Sequence, residues 1–294
     1  MSFQRKNRMA LICGQKFIWA QELVANEQET RDAAIADTTA WIKQLQELPA
    51  KDAETIWYIL WNALWMTDGQ LTQHAFCDKI VAIFDVISVE NSKTFYRAYI
   101  ECMVKQWEKL DKWRTDKYLV LGRKVLDKLV SFCKEHKDYD FLFEIIHLVF
   151  DNTKGNGFKL HLVDVITDYL PELVQMDAKT GYKFLAPFED EFLKSTTNAS
   201  LVLRIDFKII TPLIDSVGEA FYGSEEEFGI KFLRTLLSLL NNSIKHKDSN
   251  QKIHSLRVQK ASELQELLVA VNLDRQNKGK PILKLGVVDD EENK

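Results

Sequence analysis

The chain has 294 residues, of which 46% are hydrophobic and 28% charged, with a formal net charge of −4 and 17 Phe, 8 Tyr and 7 Trp. Its 11 Gly and 5 Pro come to about 5%, where roughly 12% is usual, which argues against turn-dense all-β sandwiches and barrels and against low-complexity disorder. Cys13, Cys77, Cys102 and Cys133 are widely scattered, with no CxxC pair, so the reading is a reducing compartment and a core that needs no disulfides. The opening MSFQRKNRMALICG has too short an apolar run for a secretory signal, and no apolar stretch approaches the ~20 residues of a membrane span. The expectation is a soluble intracellular protein with no membrane partner.

Apolar residues recur every three or four positions through most of the chain, which predicts helices. In order they are Phe17 to Asn26, Thr30 to Leu48 ending before Pro49, and a helix opened by Asp52 as N-cap that runs to Met66 and stops at Asp68-Gly69. Gln70 to Val89, Ser92 to Leu110, Trp113 to His136 and Tyr139 to Asn152 follow, then a Gly155-Asn156-Gly157 turn. Beyond the turn come Lys159 to Gln175, Ala178 to Leu193, Ala199 to Val217, Glu225 to Asn242 and Lys252 to Val271. Helices joined by short polar turns, with no βαβ signal, predict an all-α fold of stacked helical hairpins, an α-solenoid of about a dozen helices. No repeating consensus is visible, and a multi-helix bundle is the alternative. The organisation expected is a basic segment over 1–14, a helical-repeat domain over 15–272 and a C-terminal tail over 273–294.

Charge is unevenly spread. Residues 1–16 carry +4, residues 105–137 carry +5 and residues 244–284 carry +5, leaving −18 on the rest. That asymmetry allows one basic face on an acidic body, although solvated helix surfaces would give the same pattern. Candidates to face RNA or a partner are Arg5, Lys6 and Arg8 in the first segment and Lys117, Arg123, Lys124 and Lys128 in the second.

Signals for catalysis are weak. The histidines form no HExxH or paired-ligand pattern, and GxGxxG, GxxxxGK[ST] and GxSxG are missing. His161 and Asp164, three apart, could share a ligand, but a local polar contact is the simpler reading. A metal-dependent nuclease lacks an evident carboxylate cluster. Trp57, Trp61 and Trp65 fall at i, i+4 and i+8 on a helix apolar over most of its circumference, which predicts a buried central helix rather than a stacking platform. Trp107, Asp111, Arg114 and Tyr118 share a face if one helix runs through them, with Asp111 and Arg114 placed for an ion pair between repeats.

Several blocks, in order, resemble the ribosomal RNA processing protein 1 family, whose animal members are also called nucleolar protein 52. Ala20-Gln21, Leu23, Ala25-Asn26 and Thr30-Arg31-Asp32 resemble its opening helix pair. Leu60-Trp61 and Leu64-Trp65-Met66-Thr67-Asp68, with Leu71 and Gln73, resemble a tryptophan-rich helix that ends in Trp-Met-Ser-Asp, with Thr67 in place of the serine. Trp107, Asp111, Arg114, Asp116-Lys117-Tyr118, Leu121 and Arg123 resemble its Trp, Asp-x-x-Arg-x-Asp-Lys-Phe and Leu-x-Arg series. Gly157-Phe158, Leu160 to Asp164, Leu170 to Leu173 and Leu185 to Phe188 resemble later blocks, so the resemblance spans about 15–190.

The resemblance implies a HEAT-like α-solenoid in the nucleus and nucleolus, a non-enzymatic scaffold of large (60S) subunit biogenesis that supports precursor rRNA processing within a pre-60S particle. It implies WD-repeat and Brix-domain assembly factors as partners, contact with the precursor rRNA backbone, and no cofactor, metal or small-molecule substrate. Trp61, Trp65, Asp68, Trp107, Asp111, Arg114 and Asp116 would be its structural motif residues. The alternative from the residues is a generic α-solenoid adaptor that binds proteins without RNA.

Overall fold

The computed structural model describes residues 11, 12, 14–153, 155–169, 178–193, 198–212, 214, 236–238, 240, 241, 244 and 250–283. It is all-α apart from a two-residue antiparallel hairpin, β1 (Leu11–Ile12) and β2 (Gln15–Lys16), whose turn contains Gly14 at φ 73. The chain divides into two compact units, Met1–His161 and Leu162–Lys294.

In the first unit the expected helix over Phe17 to Asn26 is replaced by two 3₁₀ turns, Ile18–Ala20 and Glu22–Val24. Arg31 Nη1 holds the connection that follows, donating to Ala25 O and Asn26 O, both at 2.7 Å. Six helices follow: α1 (Gln28–Ile42), α2 (Ala50–Trp65), α3 (Gln70–Val81), α4 (Val89–Gln106), α5 (Thr115–Glu135) and α6 (Tyr139–Asn152). The N-cap of α2 is Pro49, not Asp52; Asp52 sits in the first turn, where a carboxylate favours the positive end of the helix dipole. The predicted Gln70 to Val89 helix stops at Val81, passes into a 3₁₀ turn over Ala82–Asp85, and yields to α4, capped by the Ser88 hydroxyl accepting from Asn91 N at 3.3 Å. Asp138 caps α6 in the same way, accepting from Phe141 N at 3.2 Å.

Packing follows a skip-one rule: α1 lies against α3 and α3 against α5, while α2 lies against α4 and α4 against α6. Two layers of successive helical hairpins result, the arrangement of an α-solenoid, with α2 on α4 the most extensive pairing among the described elements. Trp57 is 1% exposed, packs on Phe95 and Tyr99 at ring distances of 4.7 and 4.9 Å, and donates its indole N–H to Phe95 O at 2.8 Å. Asn91 ties the α1–α2 connection to α4, accepting from Leu48 N at 2.9 Å and donating to Leu45 O at 3.1 Å. Each layer is also laced by ion pairs: Lys79 with Asp32 at 2.6 Å (α3 to α1), Lys105 with Glu54 at 2.8 Å (α4 to α2), and Arg97 with Glu144 (α4 to α6) through a second contact at 2.8 Å.

Cys77, Cys102 and Cys133 are buried free thiols, and burial pushes each of them up to about 12. They are inert packing groups.

Helix α7 (Asn156–Ile166) begins inside the predicted glycine turn, so Gly157 is a helical residue. A Cβ there would lie 2.4 Å from Trp107 Nε1, which is the reason for a glycine: the indole lies directly on the backbone. A 3₁₀ turn, Thr167–Tyr169, follows. The rest of the predicted Lys159 to Gln175 helix lies outside the described residues.

The second unit contains α8 (Ala178–Leu193), α9 (Ala199–Ile205) with a wider π turn over Asp206–Ile210, and α10 (Gln251–Asn277). Of the predicted Glu225 to Asn242 helix, residues 236–238, 240 and 241 are described and helical, with Leu236, Leu237 and Leu240 buried. Arg257, 2% exposed, donates from Nη2 to Phe192 O at 2.7 Å, and Lys260, 5% exposed, donates to Thr211 Oγ1 at 2.9 Å and pairs with Glu263 at 2.8 Å. Helix α10 runs past Val271, where the predicted helix ended, and closes at Gly279 (φ 68) with Lys280 N donating to Arg275 O at 2.8 Å. The segment after it folds back on α10, with Leu283 N donating to Asn272 Oδ1 at 2.8 Å and Arg275 Nε to Pro281 O at 2.8 Å.

Candidate nucleic-acid and partner interface

The basic segment over 105–137 comprises the end of α4, a connection and α5. The break expected between the Ser92 to Leu110 and Trp113 to His136 helices is present, so no single helix carries Trp107 to Tyr118 on one face: a 3₁₀ turn, Trp107–Lys109, leads to Leu110 with extended backbone. Asp111 Oδ1 then accepts from Trp113 N at 2.9 Å and Arg114 N at 3.0 Å, a side-chain turn that competes with helix and starts α5 afresh.

This connection is pinned to the end of α2. Arg114 pairs with Asp111 and lays its guanidinium 4.3 Å from the centre of the Trp65 ring, so the pair holds the turn together and bridges to the neighbouring helix through a ring rather than through a carboxylate. Tyr118 stacks on Trp61 at 3.8 Å and donates to Trp61 O at 2.8 Å. Trp61 is buried and Trp65 half-buried, as a central helix requires. The Thr67 hydroxyl donates to Ala63 O at 2.9 Å, a bond that a serine would make equally well. Asp68 and Asp116 are exposed, Asp116 in the first turn of α5. Trp107 packs on Phe158 at 5.3 Å and covers Gly157.

The sequence candidates for phosphate separate into distinct environments. Lys117 is 4% exposed, and its ammonium donates to Trp65 O and Thr67 O, both at 2.9 Å. It caps the C-terminal end of α2 and is not offered to a partner; burial pulls its pKa below the ordinary lysine value, with Asp68 acting in the opposite sense. This corrects its reading as a phosphate contact. Lys124 pairs with Asp78 and Lys128 with Asp85, both across α5 to α3 and its 3₁₀ extension. Those pairs are partly exposed, and such pairs are worth only ~0–1 kcal/mol, so a phosphate could exchange for the carboxylate at small cost. Arg123 is exposed on the same helix. Arg5, Lys6 and Arg8 lie outside the described residues. Asp164 accepts from Nη1 of Arg204, an arginine of α9, at 2.5 and 2.7 Å.

One residue escaped the sequence reading. Trp113, taken as the first residue of a helix, is 82% exposed, the most exposed aromatic side chain among the described residues. Its signal was the run Asp111-Lys112-Trp113-Arg114: a turn-forming aspartate just before an aromatic flanked by cations.

Among the described residues no group of three or more His, Cys, Asp or Glu side chains converges to hold a metal ion, and no helix is long and apolar enough to cross a membrane.

These features define an all-helical repeat protein whose distinctive residues lock one connection onto the end of a tryptophan-rich helix. The family model described as "Nucleolar protein, Nop52" matches residues 14–278, and the chain belongs to this family of nucleolar proteins. Among its relatives are ribosomal RNA processing protein 1 homolog A of Homo sapiens, 26% identical over 200 residues (63% of this chain, 43% of the relative), and the ribosomal RNA processing protein 1 homolog of Caenorhabditis elegans, 24% identical over 182 residues (58% and 46%). The Drosophila melanogaster homolog is 22% identical over 218 residues (69% and 32%). The chain thus spans less than half the length of these curated relatives.

Proposed function

We propose that the chain is a nucleolar factor of ribosome biogenesis that acts in rRNA processing as a scaffold, without catalysing a step itself. The observation that carries this reading is the family match over residues 14–278. In the finer form of the proposal it works in large-subunit (60S) assembly within a pre-60S particle, beside WD-repeat and Brix-domain factors. Its basic groups, Arg5, Lys6, Arg8, Arg123, Lys124 and Lys128, meet the precursor rRNA backbone through charge rather than base identity. In this reading the helical stack holds a precursor conformation while other factors cut.

A second reading, a protein-only adaptor, draws on the burial of Lys117 and the carboxylate partners of Lys124 and Lys128. One experiment separates the two: the chain is tagged in its native cell and purified at moderate salt, and its co-purifying RNA and proteins are identified. Large-subunit precursor rRNA with nucleolar assembly factors is expected. Recovery of unrelated proteins without precursor rRNA sinks the ribosome-assembly reading and leaves the adaptor.

A further inference from the structure

An indole at 82% exposure is out of place on a protein that buries Trp57 and Trp61 almost completely. Trp113 is held there by a defined turn, since its own N–H is tied to Asp111 Oδ1 at 2.9 Å and the next N–H to the same oxygen at 3.0 Å. The Lys112 ammonium sits 4.7 Å from the centre of its ring. Lys109 and Lys112 are exposed, and among the described residues neither is paired with a carboxylate; Lys109 donates to the neutral Gln106 side chain at 3.0 Å. The acid within the turn, Asp111, is already engaged by Arg114 and the main chain. Among the described residues, the cations of the connection without a carboxylate partner are therefore Lys109 and Lys112, the second of which lies over the ring.

An exposed aromatic ring on a hydrogen-bonded turn, with one ammonium at its face and a second on the same short connection, has the chemistry of a single-stranded nucleic-acid contact: the ring accepts a base by stacking, and the cations take the adjoining phosphates. A protein hot spot would instead set the tryptophan among other apolar side chains that exclude water. Here its exposed neighbours along the chain are lysines. The geometry points to the Lys109–Arg114 connection as a binding site for single-stranded RNA, with Trp113 stacking one unpaired base and Lys109 and Lys112 contacting its flanking phosphates. This rests on the rRNA-processing reading and deepens it, adding to the α5 face of Arg123, Lys124 and Lys128 a contact at the turn before it.

The test uses the full chain and a fluorescently labelled 12-nucleotide uridine strand, with affinity read by anisotropy over a range of salt. Trp113→Ala should weaken binding roughly 5- to 150-fold, the range that one stacked base carries, and Trp113→Phe should restore most of it. The double variant Lys109→Gln/Lys112→Gln should flatten the dependence of log affinity on log salt by about 1.4, two single-strand phosphate contacts. Circular dichroism and thermal melts of the variants should match the unmodified chain, as substitution of exposed side chains requires. Equal affinity of Trp113→Ala and the unmodified chain overturns the assignment, and so does failure of the unmodified chain to bind the strand. Loss of co-purifying proteins from Trp113→Ala cells with RNA affinity intact also overturns it and makes the turn a protein contact. The broader reading fails separately, if the tagged unmodified chain recovers no precursor rRNA.

Discussion

Lys117→Met tests whether this lysine holds the fold or meets RNA. Methionine keeps the length and the apolar stem but removes an ammonium that donates to Trp65 O and Thr67 O at 2.9 Å each. Hydrogen bonds from a charged group are worth roughly 1.5–3 kcal/mol each, and a cation at the C-terminal end of α2 gains ~0.3–1 kcal/mol more from the helix dipole. Two effects reduce the loss. Thr67 O also accepts from Gln73 Nε2 at 3.1 Å, so it keeps a partner, and methionine escapes the desolvation that lowers the pKa of Lys117. A net destabilisation of about 2 kcal/mol remains, a fall of roughly 3 °C in Tm for a chain of 294 residues. Circular dichroism at 222 nm during thermal and urea unfolding measures it, with Lys124→Gln, which breaks only a partly exposed pair with Asp78, as the control expected within ~1 kcal/mol of the unmodified chain. RNA binding by Lys117→Met should keep its salt dependence. An unchanged Tm together with a flatter salt dependence would refute the reasoning and return Lys117 to the phosphate-facing set.

Gly157→Ala should destabilise by about 1–2 kcal/mol, because the new methyl meets the Trp107 indole at 2.4 Å and overpacking outweighs the gain in helix propensity. Gly155→Ala, whose methyl meets Glu108 Oε1 at an ordinary 3.5 Å, should be near neutral; urea midpoints of the two variants decide the point. Glu189 is 2% exposed with Oε1 unpartnered, and burial with Asp190 beside it raises its pKa to about 8. Between its ordinary value of 4.5 and about 8 the folded chain holds a proton that the unfolded chain has lost, so stability falls as pH rises through that window, by up to about 1.4 kcal/mol per unit. Glu189→Gln should remove that slope, which unfolding at pH 5, 6, 7 and 8 would reveal; parallel curves for both proteins would refute it. Lys137 closes α5 at φ 54, and Lys137→Gly should raise stability by ~0.5–1 kcal/mol, read as a higher urea midpoint with unchanged m.

The helices and the family were legible in the sequence because they depend on local information. A three- to four-residue apolar rhythm gives an amphipathic helix wherever it occurs, and Trp57, Trp61 and the Trp-Met-Thr-Asp ending of α2 carry their pattern within one stretch. The limits of the elements were less legible. Asp111 opens the turn into α5 by accepting two main-chain N–H groups, and Asp52 yields the N-cap to Pro49; both outcomes turn on competition between a side chain and one turn of backbone. The fate of each lysine was beyond the sequence altogether. Lys112, Lys117, Lys124 and Lys128 are the same residue within one basic stretch, yet one flanks an exposed ring, one is sealed against two carbonyls of α2, and two reach carboxylates 43 or more positions away. Charge and spacing fix how many cations a segment offers; only the packing of α2, α3 and α5 determines which of them are already bound and which remain available to a partner.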